Sequence, residues 1–205
     1  MAIVYPLIFP DLPVAEINMI MVTTSAMNES PFTGDQQVYE WPRQMWRADI
    51  VLPKMPRAKA EQWICFMAKL RGRVGTFLMP PIVGSVQRGT MTGTPVVDGV
   101  GQLGLELSIR GMVANSVGVF LAGDFLQLGS GSDARLHKVL NDADADATGR
   151  ATLDIWPPLR SAPADAAAVV FAAPVGNFRL NQSESPFLYV SPQRASIRFS
   201  VIEDI

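Results

Sequence analysis

A single segment of helical periodicity, set between two stretches of strand character, constrains this chain more than any other feature. It lies within Trp41 to Met79, WPRQMWRADIVLPKMPRAKAEQWICFMAKLRGRVGTFLM. At about 100° per residue, Ala60, Trp63, Ile64, Met67 and Leu70 fall on one side with Phe66 at its edge, and Glu61, Gln62 and Lys69 fall opposite. Pro56 suits a first helical turn, where its missing N–H has no intrahelical partner to lose. Gly72 stands where a left-handed C-cap is expected, and Lys69 and Arg71 place positive charge at the negative end of the helix dipole. The spacing predicts a helix over about 56–71 between two strands, with no capping side chain just before Pro56.

A chain of 205 residues can bury roughly 70% of the surface it exposes when unfolded, so it needs no disulfide staples. Its one cysteine forms no internal bridge, which fits a reducing compartment. Cys65 projects opposite Trp63 and Met67, with Lys69 the one cation near it, and reads as an inert thiol covered by another element. A net charge of −2 and a pI near 5.4 carry no nucleic-acid footprint. Charged residues make up 18% of the chain, against about 25% in typical soluble domains. Apolar residues make up 48%, yet no run approaches the ~18 needed for a membrane span. The opening MAIVYPLIFPDLP lacks a basic region and does not read as a signal peptide. An apolar, charge-poor chain of this kind is expected to have surfaces that other subunits cover.

Along the chain, Tyr5–Pro10 is short and proline-broken, an edge strand or tethered arm. Val14–Thr24 reads as a strand that begins half exposed and ends apolar on both faces, as if sandwiched. Asn28–Asp35 has turn chemistry. Gln37–Leu52 resumes as strand with a bend at Pro42, and Ala48, Ile50 and Leu52 share one face. Gly75–Met79 is a strand stopped by Pro80-Pro81. From Ile82 to Pro174 short strands alternate with turns. Leu103, Leu105, Leu107 and Ile109 alternate with polar residues and glycine. Val117–Leu121, Phe125–Leu128, Arg135–Leu140, Ala151–Trp156 and Ala168–Ala172 follow as strands, and 164–168 could form a short helix. Phe187–Val190 and Ser196–Ile202 close the chain as strands. The fold expected is mainly β: a β-sandwich from 1–79 and 177–205 carrying the helix, with a small antiparallel β-barrel or sandwich inserted over 80–176. The joins at Pro80 and Pro174 are expected to be adjacent and exposed.

No residue is assigned to catalysis, cofactor binding or metal binding. Asp142, Asp144 and Asp146 in NDADADATG alternate as in a calcium loop. The sixth and twelfth places hold Ala147 and Leu153 rather than Gly and Glu, so a solvated turn explains them better. Whether the three bind any cation stays open on sequence alone. His137, the one histidine, has no partner in sequence for a triad or ligand set and reads as a surface or strand-face residue. Gly99-Val100-Gly101 and Gly129-Ser130-Gly131-Ser132 read as turns. Trp41, Trp46 and Trp156 could stack sugars, but read more readily as core or interface anchors; Trp63 belongs to the buried helix face.

Several motifs together resemble the distal tail proteins and related tail-tip virion proteins of long-tailed (siphovirus-type) bacteriophages, and similar proteins of gene transfer agents. Trp46-x-Ala48-x-Ile50-x-Leu52-Pro53-x-Met55 is followed by Ala60-x-x-Trp63 and by Leu70-Arg71-Gly72-x-x-Gly75-Thr76-Phe77. Farther on come Gly123-Asp124-Phe125-Leu126-Gln127-Leu128, Leu136-x-Lys138-Val139, Gly149-x-Ala151-Thr152-Leu153-x-Ile155-x-Pro157-x-Leu159-Arg160 and Phe178-Arg179-Leu180. The resemblance spans about Trp41 to Leu180 and rests on packing and turn residues. It implies a non-enzymatic structural subunit of the virion tail tip, assembled in the bacterial host cytoplasm. Its expected partners are copies of itself in a ring, commonly a hexamer, the tail tube protein, and hub or fibre proteins; no cofactor, nucleic-acid specificity or membrane span is implied. The chain departs from many such proteins in lacking a long C-terminal carbohydrate-binding-like domain. The alternative is a carbohydrate-binding host-attachment module using Trp41, Trp46 or Trp156.

Overall fold

The computed structural model describes residues 3–81, 86–184, 187–191 and 194–205. Met1 and Ile82, the first residue of the run of short strands and turns expected within the insert, lie outside them. Over the described residues the protein is mainly β with one α-helix. In chain order the elements are β1 (Leu7–Ile8), β2 (Glu16–Glu29), β3 (Gln36–Val51), β4 (Met55–Pro56), α1 (Arg57–Leu70) and β5 (Thr76–Met79). There follow β6 (Gly93–Val97), β7 (Gly104–Met112), β8 (Phe125–Leu128), β9 (Arg135–Val139), β10 (Arg150–Leu159) and β11 (Val169–Val170). The last three are β12 (Gly176–Leu180), β13 (Phe187–Ser191) and β14 (Arg194–Glu203).

The first sheet runs β1-β5-β12-β14-β3-β2, with β13 and β4 flanking the N-terminal half of β14. Its strands come from both ends of the chain. The second runs β11-β8-β9-β10-β7-β6, and a bridge from Val96 to Ala168 brings its two edges together as a nearly closed barrel. The chain leaves and re-enters the first sheet at one place, where Met79 stands opposite Gly176. The two joins are thus neighbours, although Pro174 is buried rather than exposed.

Helix α1 forms where its periodicity places it. Ala60, Trp63, Phe66, Met67 and Leu70 are buried against the first sheet and Ile64 is partly so. Pro56 sits one place before the helix, as its N-cap, without a side-chain cap. Both Arg71 and Gly72 take positive φ, 52° and 66°, so the left-handed exit needs two residues where one glycine was expected. Tyr5 ties the N-terminal arm to this exit: its hydroxyl donates to the Lys69 carbonyl at 2.6 Å. Its ring lies where a Cβ on Gly75 would come within 2.4 Å. The arm continues as edge strand β1, parallel to β5. Phe9 enters the core edge-on to Trp63 and stacked on Phe77, with ring centroids 5.2 and 5.9 Å away.

The barrel has its own core, with Val97, Leu107, Ile109, Phe120, Leu126, Val139, Leu153 and Ile155 all fully buried. Asp124, buried just before β8, anchors the entering chain. Its carboxylate accepts from the backbone N–H groups of Arg88 (2.8 Å), Gly89 (3.1 Å) and Leu121 (2.9 Å).

Several expectations are corrected. β2 extends to Glu29, and the apolar run Met19–Val22 is half-buried with Met21 exposed, not sandwiched, while the turn shrinks to Ser30–Asp35. Val117–Leu121 is not a strand: Gly118 takes φ 63° and only Phe120 bridges, to Ala143. The segment 164–168 is a turn, not a helix. β6 was not anticipated, since Gly93 and Pro95 break its pattern. Leu103 and Leu105 share the period of Leu107 and Ile109 but are 60% and 50% exposed, outside the barrel core. Cys65 has the predicted phase but is exposed, covered by no element among the described residues.

Candidate assembly interface

The feature that stands out is the β2–β3 hairpin. Thr23 pairs with Gln44 but Thr24 pairs with Trp41, leaving Pro42 and Arg43 as a bulge where the bend at Pro42 was expected. Beyond it, Thr24–Glu29 pairs with Gln36–Trp41. At ~3.4 Å per residue this carries the hairpin about 20 Å past the bulge. Residues 23–29 and 31–43 are all exposed, so the hairpin projects without support from the rest of the chain.

Its two faces follow from the pairing. One carries Thr24, Ala26 and Asn28 beside Trp41, Tyr39 and Gln37; the other carries Ser25, Met27 and Glu29 beside Glu40, Val38 and Gln36. Met21, Met27, Phe32, Val38, Tyr39 and Trp41 are between 48% and 95% exposed. They are spread over both faces of the hairpin, its tip and, with Met21, its base. β2 is also the edge of the sheet, with its outer side paired to no strand among the described residues.

The base of the hairpin is fixed where the two sheets meet. Trp46 packs edge-on to Trp156 and tilted on Phe125, with centroids 4.5 and 5.7 Å away. Its indole N–H donates to the Leu136 carbonyl at 2.9 Å. Its backbone N–H donates to Glu203 Oε2 at 3.1 Å, and Arg160 reaches the same oxygen at 3.3 Å and the Gln44 carbonyl. Burial pushes the Glu203 carboxyl up, and the Arg160 guanidinium opposes that shift. Asn177 adds a link by donating its backbone N–H to Ala134 and its side-chain amide to Ser132, both at 3.0 Å.

The residues singled out from sequence do not converge. Trp46 and Trp156 are buried, which leaves Trp41 as the exposed tryptophan of the suggested sugar platform. Asp142, Asp144 and Asp146 lie in the β9–β10 connection and bind backbone. Asp142 accepts from Ala122 N–H (2.7 Å) and Asp144 from Gly118 N–H (2.6 Å). Asp146 accepts from the N–H groups of Thr148 (2.7 Å) and Arg150 (2.9 Å), which hold its carboxyl below the usual range. Among the described residues no group of three His, Cys, Asp or Glu side chains could hold a metal ion. His137 is buried rather than at the surface, and its Nδ1–H donates to the Pro157 carbonyl at 2.7 Å. Desolvation pushes its pKa down to about 4. Arg110 bridges Asp98 and Asp165 at 2.8 and 2.7 Å and holds the Asp165 carboxyl down to about 2. Among the described residues no helix is long and apolar enough to cross a membrane.

Sequence reasoning missed the extent of the hairpin. Its signal was present in the turn chemistry of Ser30–Asp35 flanked by two strand-like runs. Neither a family model nor a curated protein matches the chain.

Proposed function

We propose that the chain is a structural subunit of a phage tail tip, similar to distal tail proteins, that assembles into a ring. The ring, expected to be a hexamer, would join the tail tube to the hub or receptor-binding apparatus. The observation that carries this reading is the unsupported hairpin with apolar side chains on both faces. A two-stranded hairpin alone is marginal in water. Copies of the chain packed around an axis would cover that surface and the open edge of β2 together, and contacts between unlike patches give a ring when the rotation between neighbours closes. The resemblance of Trp46–Phe77 and Gly123–Leu180 to tail-tip proteins supplies the setting. Particle images of the purified chain test the proposal. Annular particles are expected, and single small globular particles would overturn it.

A further inference from the structure

Charge is unevenly divided along the chain. Residues 1–42 hold five acidic residues and no lysine or arginine, whereas 43–73 hold eight lysines and arginines and two acids. The acids of the β2–β3 hairpin, Glu29, Asp35 and Glu40, are exposed. They accept hydrogen bonds from Gln36, Thr33 and Gln44 and pair with no cation among the described residues. The bases gather on and around α1, where Lys54, Arg57, Lys59, Lys69, Arg71 and Arg73 are all exposed. Arg57 pairs with Glu61 at 3.2 Å, and the other five form no ion pair among the described residues. We infer that the hairpin of one copy docks along the exposed side of α1 in the next, a reading that rests on the ring proposed above.

The two surfaces match in spacing as well as in sign. On one face of the hairpin Glu40 stands beside Ser25, Val38 beside Met27 and Gln36 beside Glu29, so two carboxylates flank an apolar pair. From Ser25 to Glu29 is four residues, about 14 Å along an extended strand. On α1, Ala58, Gln62, Cys65 and Lys69 follow one another along the exposed side at i, i+4, i+7 and i+11. Arg57 and Lys59 stand at its start and Lys69 and Arg71 at its end, roughly 15 Å apart by helical rise. Gln62 and Cys65 lie between, with Glu61 already paired to Arg57. Laid along the helix, the hairpin face sets a carboxylate at each cationic end and Met27 with Val38 over the middle. Within one chain the two surfaces stand at opposite ends of the first sheet. The hairpin leaves at the Trp41 end of β3, while α1 follows β4, which pairs with Arg194 and Ala195 beyond the Arg198–Val51 pair. β5, after the helix, begins level with Arg47, still six residues short of Trp41. The matching charges therefore meet between copies, in a head-to-tail contact of unlike patches.

Disulfide trapping in the full-length chain tests this, using the exposed native thiol of Cys65 at the middle of that helix side. Met27→Cys, at the middle of the docking face, and Ala26→Cys, on the opposite face, are made separately; both sites are exposed, so folding is preserved. After mild oxidation Met27→Cys is expected to give a ladder extending beyond dimer, with the introduced thiol joined to Cys65 in the peptide map. Ala26→Cys, and Met27→Cys combined with Cys65→Ser, should give no such ladder. Charge reversal supplies a second arm. Lys59→Glu with Lys69→Glu should weaken assembly at least tenfold in protein concentration, and adding Glu29→Lys with Glu40→Lys should restore it. Mass is measured on the same samples. A ring mass without the Met27→Cys ladder overturns the helix assignment and leaves the ring standing, whereas a monomer mass overturns both. A disulfide within one chain, a ladder from Ala26→Cys, or a helix reversal that has no effect or is not restored would also overturn the assignment.

Discussion

Trp46 and Trp156 meet edge to face with ring centroids 4.5 Å apart, one from β3 of the first sheet and the other from β10 of the barrel. This contact, with the Trp46 indole bonded to Leu136, fixes the barrel against the strand that runs out into the hairpin. Orientation of the hairpin thus depends on a junction inside the molecule.

Trp46→Ala should therefore be among the most damaging single changes. It opens a large cavity and leaves the Leu136 carbonyl unpaired, for a loss of about 3–5 kcal/mol. Trp46→Phe keeps most of the packing and should lose about 1–2 kcal/mol. Urea denaturation midpoints of the two variants check the order.

His137 makes stability depend on pH with a definite sign. Its folded-state pKa of about 4 lies below the ordinary 6.5 because burial disfavours the charged ring. Between those values the unfolded chain binds a proton that the folded chain does not. The histidine's contribution is constant above about pH 6.5, falls as pH drops toward 4, and loses about 3 kcal/mol over that window. Glu203, with its pKa raised by burial, contributes oppositely: its stabilisation is complete below the ordinary carboxylate range and is lost as pH rises through its folded pKa. Comparison with His137→Gln isolates the histidine. Unfolding free energies measured from pH 4 to 7 should show a slope shallower by about 1.4 kcal/mol per pH unit in the variant.

The aspartates of the β9–β10 connection hold backbone, so calcium or a chelator should shift the thermal midpoint by less than about 1 °C. Asp146→Ala should lower the thermal midpoint through lost bonds to Arg150 and Thr148. Gly149→Ala should cost about 2 kcal/mol or more, since φ is 72° and an added Cβ would lie 2.3 Å from the Met112 carbonyl oxygen. Differential scanning calorimetry reads all three.

Polar substitution on the hairpin should separate assembly from folding. Tyr39→Ser with Trp41→Ser removes the larger aromatic surface of one face while touching no core residue. Assembly should weaken at least tenfold in protein concentration, with the circular dichroism spectrum of the barrel and helix unchanged. Sedimentation velocity against concentration measures the shift.

How much of this could be read in advance follows from where each interaction closes. Helix α1 and the alternation of Ile197, Phe199 and Val201 were legible, because a local period against one core specifies them. The outer part of the β2–β3 hairpin was not: Met27 in β2 and Val38 in β3 look like core residues whether the same chain or another covers them, so a projecting hairpin and a buried strand read alike. Leu103 and Leu105 misled for the same reason. His137 and Asp124 were opaque because their partners, Pro157 and the Arg88–Gly89 backbone, lie 20 and about 35 residues away. The proposed interface was visible only as an excess of apolar over charged residues, a signal without position.

The most direct measurement of the central claim, that copies of this chain cover the hairpin's apolar surface, is its mass in solution by light scattering across micromolar dilution. A single species at an integer multiple of 22.3 kDa, holding that mass on dilution, is the predicted result. A stable 22.3 kDa monomer throughout the same range would contradict it.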